Sequence, residues 1–174
     1  GEIPTYKIYD ASEGVYYNAF SSEDVPWYPN NMNFIEYLRT EENVTILVSE
    51  DGSGAFLTIQ EGIDAAYNGD IVRVSSGTYS GGMNRDLNYY GKAITVISEA
   101  GPESTIIDCG DTERGFTFEN GEDSTSILDG FTIINGIRTY GGGIYIDGAS
   151  PAIQNCIISN CDADNAGGGM ILVS

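Results

Sequence analysis

Histidine is absent from the 174 residues, and seven Lys and Arg stand against 26 Asp and Glu, a formal net charge of −19. Without imidazole there are no Ser–His or Cys–His nucleophilic pairs and no His metal sites. A field of that sign repels phosphate backbones and anionic bilayers, so nucleic acid is excluded as a partner. Long apolar runs are missing too: nothing approaches the roughly 18 residues of a membrane helix, and no membrane insertion is expected. No secretory leader is visible, and the chain opens on Gly1 rather than Met, as a processed chain or a piece of a longer one would. No G-x-x-x-x-G-K phosphate loop or dinucleotide fingerprint occurs. Cysteine is scarce and odd in number: Cys109, Cys156 and Cys161. A disulfide plus one leftover thiol fits an oxidising compartment, and three buried free thiols fit as well. Cys156 could bridge to Cys161, or fill the core.

Glycine is abundant at 23 residues, aromatics stand at 11% and hydrophobic residues at 41%. That profile builds a core and suits a turn-rich β protein. Three regions follow. Residues 1–45 form an aromatic-rich arm punctuated by Pro4, Pro26 and Pro29. Tyr6, Tyr9, Tyr16, Tyr17 and Trp27 are too apolar for a solvated linker, and the arm must pack on its own domain or on a neighbour. Thr5 to Tyr9 alternates as a strand does; Asn33 to Arg39 reads as a short helical turn. Residues 46–70 read as strand, turn and helix. Thr58 and Glu61 make a capping box, and Ile59, Ile63 and Ala66 form one apolar stripe. The helix, expected near 58–67, stops at Asn68-Gly69. From Ile71 on, short strands alternate with turn residues, without helical periodicity.

Repetition settles the fold class. Ser126–Gly136 aligns with Pro151–Cys161, 25 residues later, and Gly141–Ile146 aligns with Gly167–Leu172, 26 later. Thr105–Cys109 aligns with Ser126–Gly130, an offset of 21. A period in the low twenties with several strands per repeat is the mark of a solenoid. Equal positions then form ladders: Leu128 over Ile153, Phe131 over Cys156, Ile133 over Ile158. Asn135 and Asn160 fall at equal corners, where stacked amides bond along the ladder. The Gly-Gly-Gly runs permit positive φ and close approach of adjacent coils.

Thr58–Ala66, Gly69–Val74, Ser76–Tyr79, Gly91–Val96, Gly101–Asp108 and the Gly-Gly-Gly-Ile-Tyr145 coil resemble the cap and first coils of pectin-lyase-like parallel β-helix repeat proteins. The resemblance covers about residues 46–174. It implies an all-β, right-handed parallel β-helix with an N-terminal capping α-helix over the tube mouth, and the repeat period sets about four to five coils. Many such proteins are similar to secreted or surface molecules, among them polymorphic outer-membrane adhesins, so an extracellular or cell-surface location is expected. The same scaffold carries polysaccharide lyases and hydrolases.

Little in the sequence points to catalysis. Arg73, Arg85, Lys92, Arg114 and Arg138 are the basic candidates for a lyase, and they are scattered. Asp108, Asp111 and Glu113, or Glu122 and Asp123, could pair as a hydrolase requires, but most such clusters in so acidic a chain are solvated turns. No catalytic residue and no cofactor is assigned, with calcium the one ion considered. Asp162, Asp164 and Asn165 partly match the start of a calcium loop, yet Ala166 and Val173 stand where ligands are needed. Asn43-Val-Thr45 is a glycosylation sequon. The chain stops at Ser174 directly after an apolar strand, and Met170 and Leu172 are expected to remain uncovered. With the tyrosines of the arm they are candidate assembly residues. The expectation is therefore a non-catalytic structural or adhesive module whose partners are copies of itself. The alternatives are a polysaccharide-binding or polysaccharide-cleaving protein, or a fragment of a longer surface protein.

Overall fold

The computed structural model describes residues 6–11, 15–21, 38–39 and 43–173. The chain divides into two units, Gly1–Val44 and Thr45–Ser174.

In the first unit, β1 (Tyr6–Asp10) and β2 (Val15–Ser21) pair antiparallel, with Tyr9 opposite Tyr16 and Ile8 opposite Tyr17. The rings of Tyr9 and Tyr16 stand 4.8 Å apart, a cross-strand aromatic pair of the kind that steadies a hairpin. β3 (Leu38–Arg39) pairs with Phe20 and Ser21. Leu38 and Arg39 are thus strand rather than the expected helical turn, because they complete a ladder. Residues 33–37 of that turn and Trp27 lie outside the described residues.

The second unit is a parallel β-solenoid of about five turns. β4 (Thr45–Val48) leads into α1 (Ile59–Ala65). Each later turn supplies one strand to each of three sheets. β5 (Ile71–Val74), β6 (Gly77–Ser80) and β7 (Leu87–Asn88) make the second turn. The third turn is β8 (Thr95–Ser98), β9 (Thr105–Asp108) and β10 (Phe116–Phe118). The fourth is β11 (Ile127–Asp129), β12 (Thr132–Ile134), β13 (Ile137–Tyr140) and β14 (Ile144–Asp147). The fifth is β15 (Ala152–Gln154), β16 (Ile157–Ser159), β17 (Asp162–Ala166) and β18 (Met170–Val173). The sheets run β15-β11-β8-β5-β4, β16-β12-β9-β6 and β18-β14-β10-β7, with β13 and β17 as an added pair.

Alternation decides which side chains enter the tube. Val72, Val96 and Leu128 stack under one sheet, Tyr79, Ile107 and Ile133 under the second, and Leu87, Phe116 and Ile144 under the third; all are fully buried. The expected pairs Leu128–Ile153 and Ile133–Ile158 are in register. Phe131 is fully buried, and Cys156 packs partly buried against the core. The offset of 21 is corrected: Ile106 pairs with Thr132, so Thr105–Asp108 and Ser126–Gly130 belong to different sheets. Both segments alternate in the same way, and alternation alone does not name the sheet.

Asn135 and Asn160 occupy corners at φ 57° and 52°. Asn160 Nδ2 donates to Asn135 Oδ1, and Asn135 Nδ2 donates to Asp108 Oδ1 at 2.9 Å. A second ladder joins Asn155 Nδ2 to Asp129 Oδ1 at 2.8 Å. Asn suits these corners because its short polar side chain tolerates the left-handed region.

The helix α1 closes the mouth of the tube. Ile59, Ile63 and Ala66 are fully buried. Glu61 accepts from the backbone N–H and the hydroxyl of Thr58. The next N–H groups are satisfied from the second turn of the solenoid: Ile59 N donates to Asn84 Oδ1 at 2.8 Å, and Gln60 N to Met83 O at 3.0 Å. Helix starts leave such donors orphaned, so Asn84→Ala strands a buried N–H. The expected loss is about 1–3 kcal/mol, read as a lower urea midpoint without a change in slope.

Candidate outer-face groove on the third sheet

The third sheet presents one outward residue per turn. Asn88 on β7, Thr117 on β10 and Tyr145 on β14 lie side by side. Asp86 precedes β7, Glu113 and Arg114 precede β10, and β13 supplies Arg138. These elements surround a concavity of about 360 Å³ that Tyr90 and Glu119 also line.

The charged groups close on one another. Asp86 Oδ1 accepts from Thr117 Oγ1 at 2.9 Å and lies 3.9 Å from Arg114 Nε. Arg138 Nη2 donates to Asp86 Oδ2 at 3.0 Å and also pairs with the Glu113 carboxylate. The Arg114 guanidinium sits 4.6 Å from the centre of the Tyr145 ring, within cation–π range. Burial lowers the pKa of Arg114, and the neighbouring Asp86 opposes that shift. Desolvation raises the pKa of Tyr145, whose hydroxyl donates to Asp147 Oδ2 at 3.3 Å.

Of the five basic candidates, Arg114 and Arg138 are thus brought together rather than scattered. Arg85 Nη1 donates to the carbonyl of Cys109 at 3.1 Å, and Arg73 is exposed on β5. Lys92 Nζ donates to the carbonyls of Ile63 and Asp64 at 2.8 and 2.9 Å. It serves the C-terminus of α1, where a cation is favoured.

The acidic candidates separate. Asp108 belongs to the asparagine ladder and Glu113 to Arg138. Glu122, 2% exposed, accepts from Gly91 N and Asn120 N, each at 2.9 Å. Asp123 accepts from the N–H and hydroxyl of Thr125, which lower its pKa. Asp162, Asp164 and Asn165 lie exposed on β17, not in a turn. Pairing of β17 with β13 holds that backbone extended, and Asp162 Oδ1 accepts from the adjacent Ala163 N. Among the described residues, no three His, Cys, Asp or Glu converge where a metal could bind.

Asn43 of the sequon is exposed at φ 56°. Tyr9, Tyr16, Met170 and Leu172 are exposed, and Tyr6 is half-buried. Met170 and Leu172 stand in register with buried Ile144 and Ile146, on the core side of the ladder. Among the described residues, no helix is long and apolar enough to cross a membrane.

All three cysteines are free thiols. Burial pushes the pKa of Cys109 from its ordinary 9.0 up to about 12. A folded value above the unfolded one means that the native chain holds this proton more tightly. The stability it contributes is present below pH 9 and falls as pH rises from 9 toward 12. Cys109 is therefore expected to resist alkylation at pH 9 until the chain unfolds. Mass spectrometry of native and urea-treated samples checks this.

The architecture defines a parallel β-solenoid protein with one capping helix and an ion-paired groove on its third sheet. Comparison with protein-family models, curated proteins and solved structures finds no match to this chain.

Proposed function

We propose that this chain is a non-catalytic structural or adhesive β-helix module of the extracellular or cell-surface type. The observation that carries this reading is the closed network of the groove. Asp86 and Glu113 are both spent on Arg138, and Asp86 also on Thr117. General acid–base work needs such groups turned toward a substrate. Lys92, another of the basic candidates, is engaged by helix carbonyls. Incubation with a panel of neutral and uronate-containing polysaccharides tests the reading. No new reducing ends and no unsaturated uronate are expected, and reproducible release of either overturns it.

A second reading, association of copies into a fibre, draws on Met170 and Leu172, 51% and 65% exposed at core-facing ladder positions. A second copy can cover these side chains with its own apolar surface. Electron microscopy with light scattering should then reveal filaments that disappear in Leu172→Asp. Uniform monomers at all concentrations would sink the assembly reading.

A further inference from the structure

We propose that Asn120-Gly121 is a site of spontaneous deamidation, and that its conversion to a carboxylate loosens the backbone of Tyr90. The modification needs only water and goes beyond the structural or adhesive reading.

Asn-Gly or Asp-Gly steps occur at Asp51-Gly52, Asn68-Gly69, Asn120-Gly121, Asp129-Gly130, Asn135-Gly136 and Asp147-Gly148. Rearrangement at such a step requires the glycine nitrogen to attack the side-chain carbonyl carbon of the residue before it. Glycine favours the attack because it carries no Cβ and turns freely. At every step but one the fold ties that nitrogen down. Gly52 N donates to Ser49 O at 3.2 Å, Gly69 N to Ala93 O at 2.8 Å and Gly130 N to Gln154 O at 3.1 Å. Gly148 N donates to Val173 O at 3.3 Å, and Gly136 N to Cys161 Sγ at 3.3 Å. Gly121 N is the exception, with no protein acceptor among the described residues. Gly121 is exposed, and nothing lies within 4 Å of where its Cβ would stand.

The asparagine side chains divide in the same way. Asn68 Oδ1 accepts from Ala93 N at 2.9 Å. Asn135 is held at both ends of its amide, by Asp108 and by Asn160. Asn120 makes a single exposed side-chain bond, from Nδ2 to Asn88 Oδ1 at 3.1 Å.

In the reaction, Gly121 N gives up its proton and bonds to Cγ of Asn120, closing a succinimide ring. The Cγ–Nδ2 bond breaks, and the amide nitrogen leaves with that proton as ammonia. Water then opens the ring at either carbonyl, to aspartate or to its isomer with the chain routed through Cγ. Nothing is oxidised or reduced.

The product changes what Asn88 can hold. Asn88 Oδ1 also accepts from Tyr90 N, at 2.7 Å. Tyr90 stands at φ 54°, a region that bulky side chains rarely occupy. A carboxylate at position 120 offers Asn88 no donor. Asn88 Oδ1 is then repelled, or its amide turns Nδ2 toward the new charge and withdraws Oδ1 from Tyr90 N. Either way, the bond that holds Tyr90 left-handed weakens.

Ageing the full chain in mildly alkaline buffer, native and in urea, tests the proposal by isoelectric focusing and peptide mapping. In the native chain Asn120 should convert roughly tenfold faster or more than Asn68 and Asn135, which must first open at a cost of about 1.4 kcal/mol. In urea that preference should collapse. Asn120→Gln should remove the main acidic variant. In Asn120→Asp the amide of Tyr90 should exchange hydrogen faster than in the parent. Native conversion at Asn68 or Asn135 as fast as at Asn120 overturns the proposal, as does a native Asn120 that converts only in urea. Unchanged exchange at Tyr90 in Asn120→Asp overturns the link to Tyr90.

Discussion

Gly142→Ala is expected to remove about 3 kcal/mol or more of stability, the upper range for forcing atoms into a packed interior. A Cβ at Gly142 would stand 2.1 Å from the carbonyl oxygen of Asp162 and 2.6 Å from that of Gly168. Both obstacles are backbone, so no rotamer change relieves them. The ladders leading into β14 and β18 would have to separate. Gly82→Ala is the control, because nothing lies within 4 Å of its Cβ and its φ is not positive. Urea titration of both variants decides the matter. Equal midpoints would show that adjacent turns slide apart at little cost.

Phe116→Ala is expected to cost about 3–5 kcal/mol, a large share of the roughly 5–15 kcal/mol that holds a domain folded. Phe116 is fully buried on β10. Its ring centre lies 6.1 Å from Phe118, 6.3 Å from Tyr89 and 6.4 Å from Phe131. These rings come from the turn before β10, from β10 itself and from the corner before β12, so one truncation loosens a cluster reaching across the tube. Phe116→Leu fills most of the space and should recover over half of the loss. Calorimetry on the pair measures this. A drop below about 1 kcal/mol for the alanine variant would mean that the cavity collapses around the missing ring.

The stacking of turns was legible because parallel in-register pairing repeats each side chain's environment at a fixed sequence interval. Leu128 and Ile153, or Asn135 and Asn160, carry that interval in their identities. The corners were less visible. Leu128 to Ile134 reads as one apolar run, yet it bends at Gly130 and Phe131 into strands of two different sheets. Ala152 to Ile158 bends likewise. The strand pair β13–β17 has an exposed, mixed composition and no apolar alternation to announce it. The groove was hardest to foresee. Arg114 and Arg138 were visible as single residues, but their meeting at Asp86 depends on variable loops that set where each turn begins. Their recurrence about one turn apart was the available signal. The left-handed backbone of Tyr90, at φ 54°, had only a faint signal in Asn88 two residues before it and Gly91 after it, both turn residues.

Arg138 has a mechanical consequence. In an ideal solenoid each turn touches only the turns above and below, and melting can travel inward from either end one layer at a time. Arg138, in the fourth turn, grips Glu113 in the third and Asp86 in the second. That grip is a next-nearest-neighbour coupling, which a stack of identical layers lacks. The second, third and fourth turns are therefore expected to open together rather than one layer at a time.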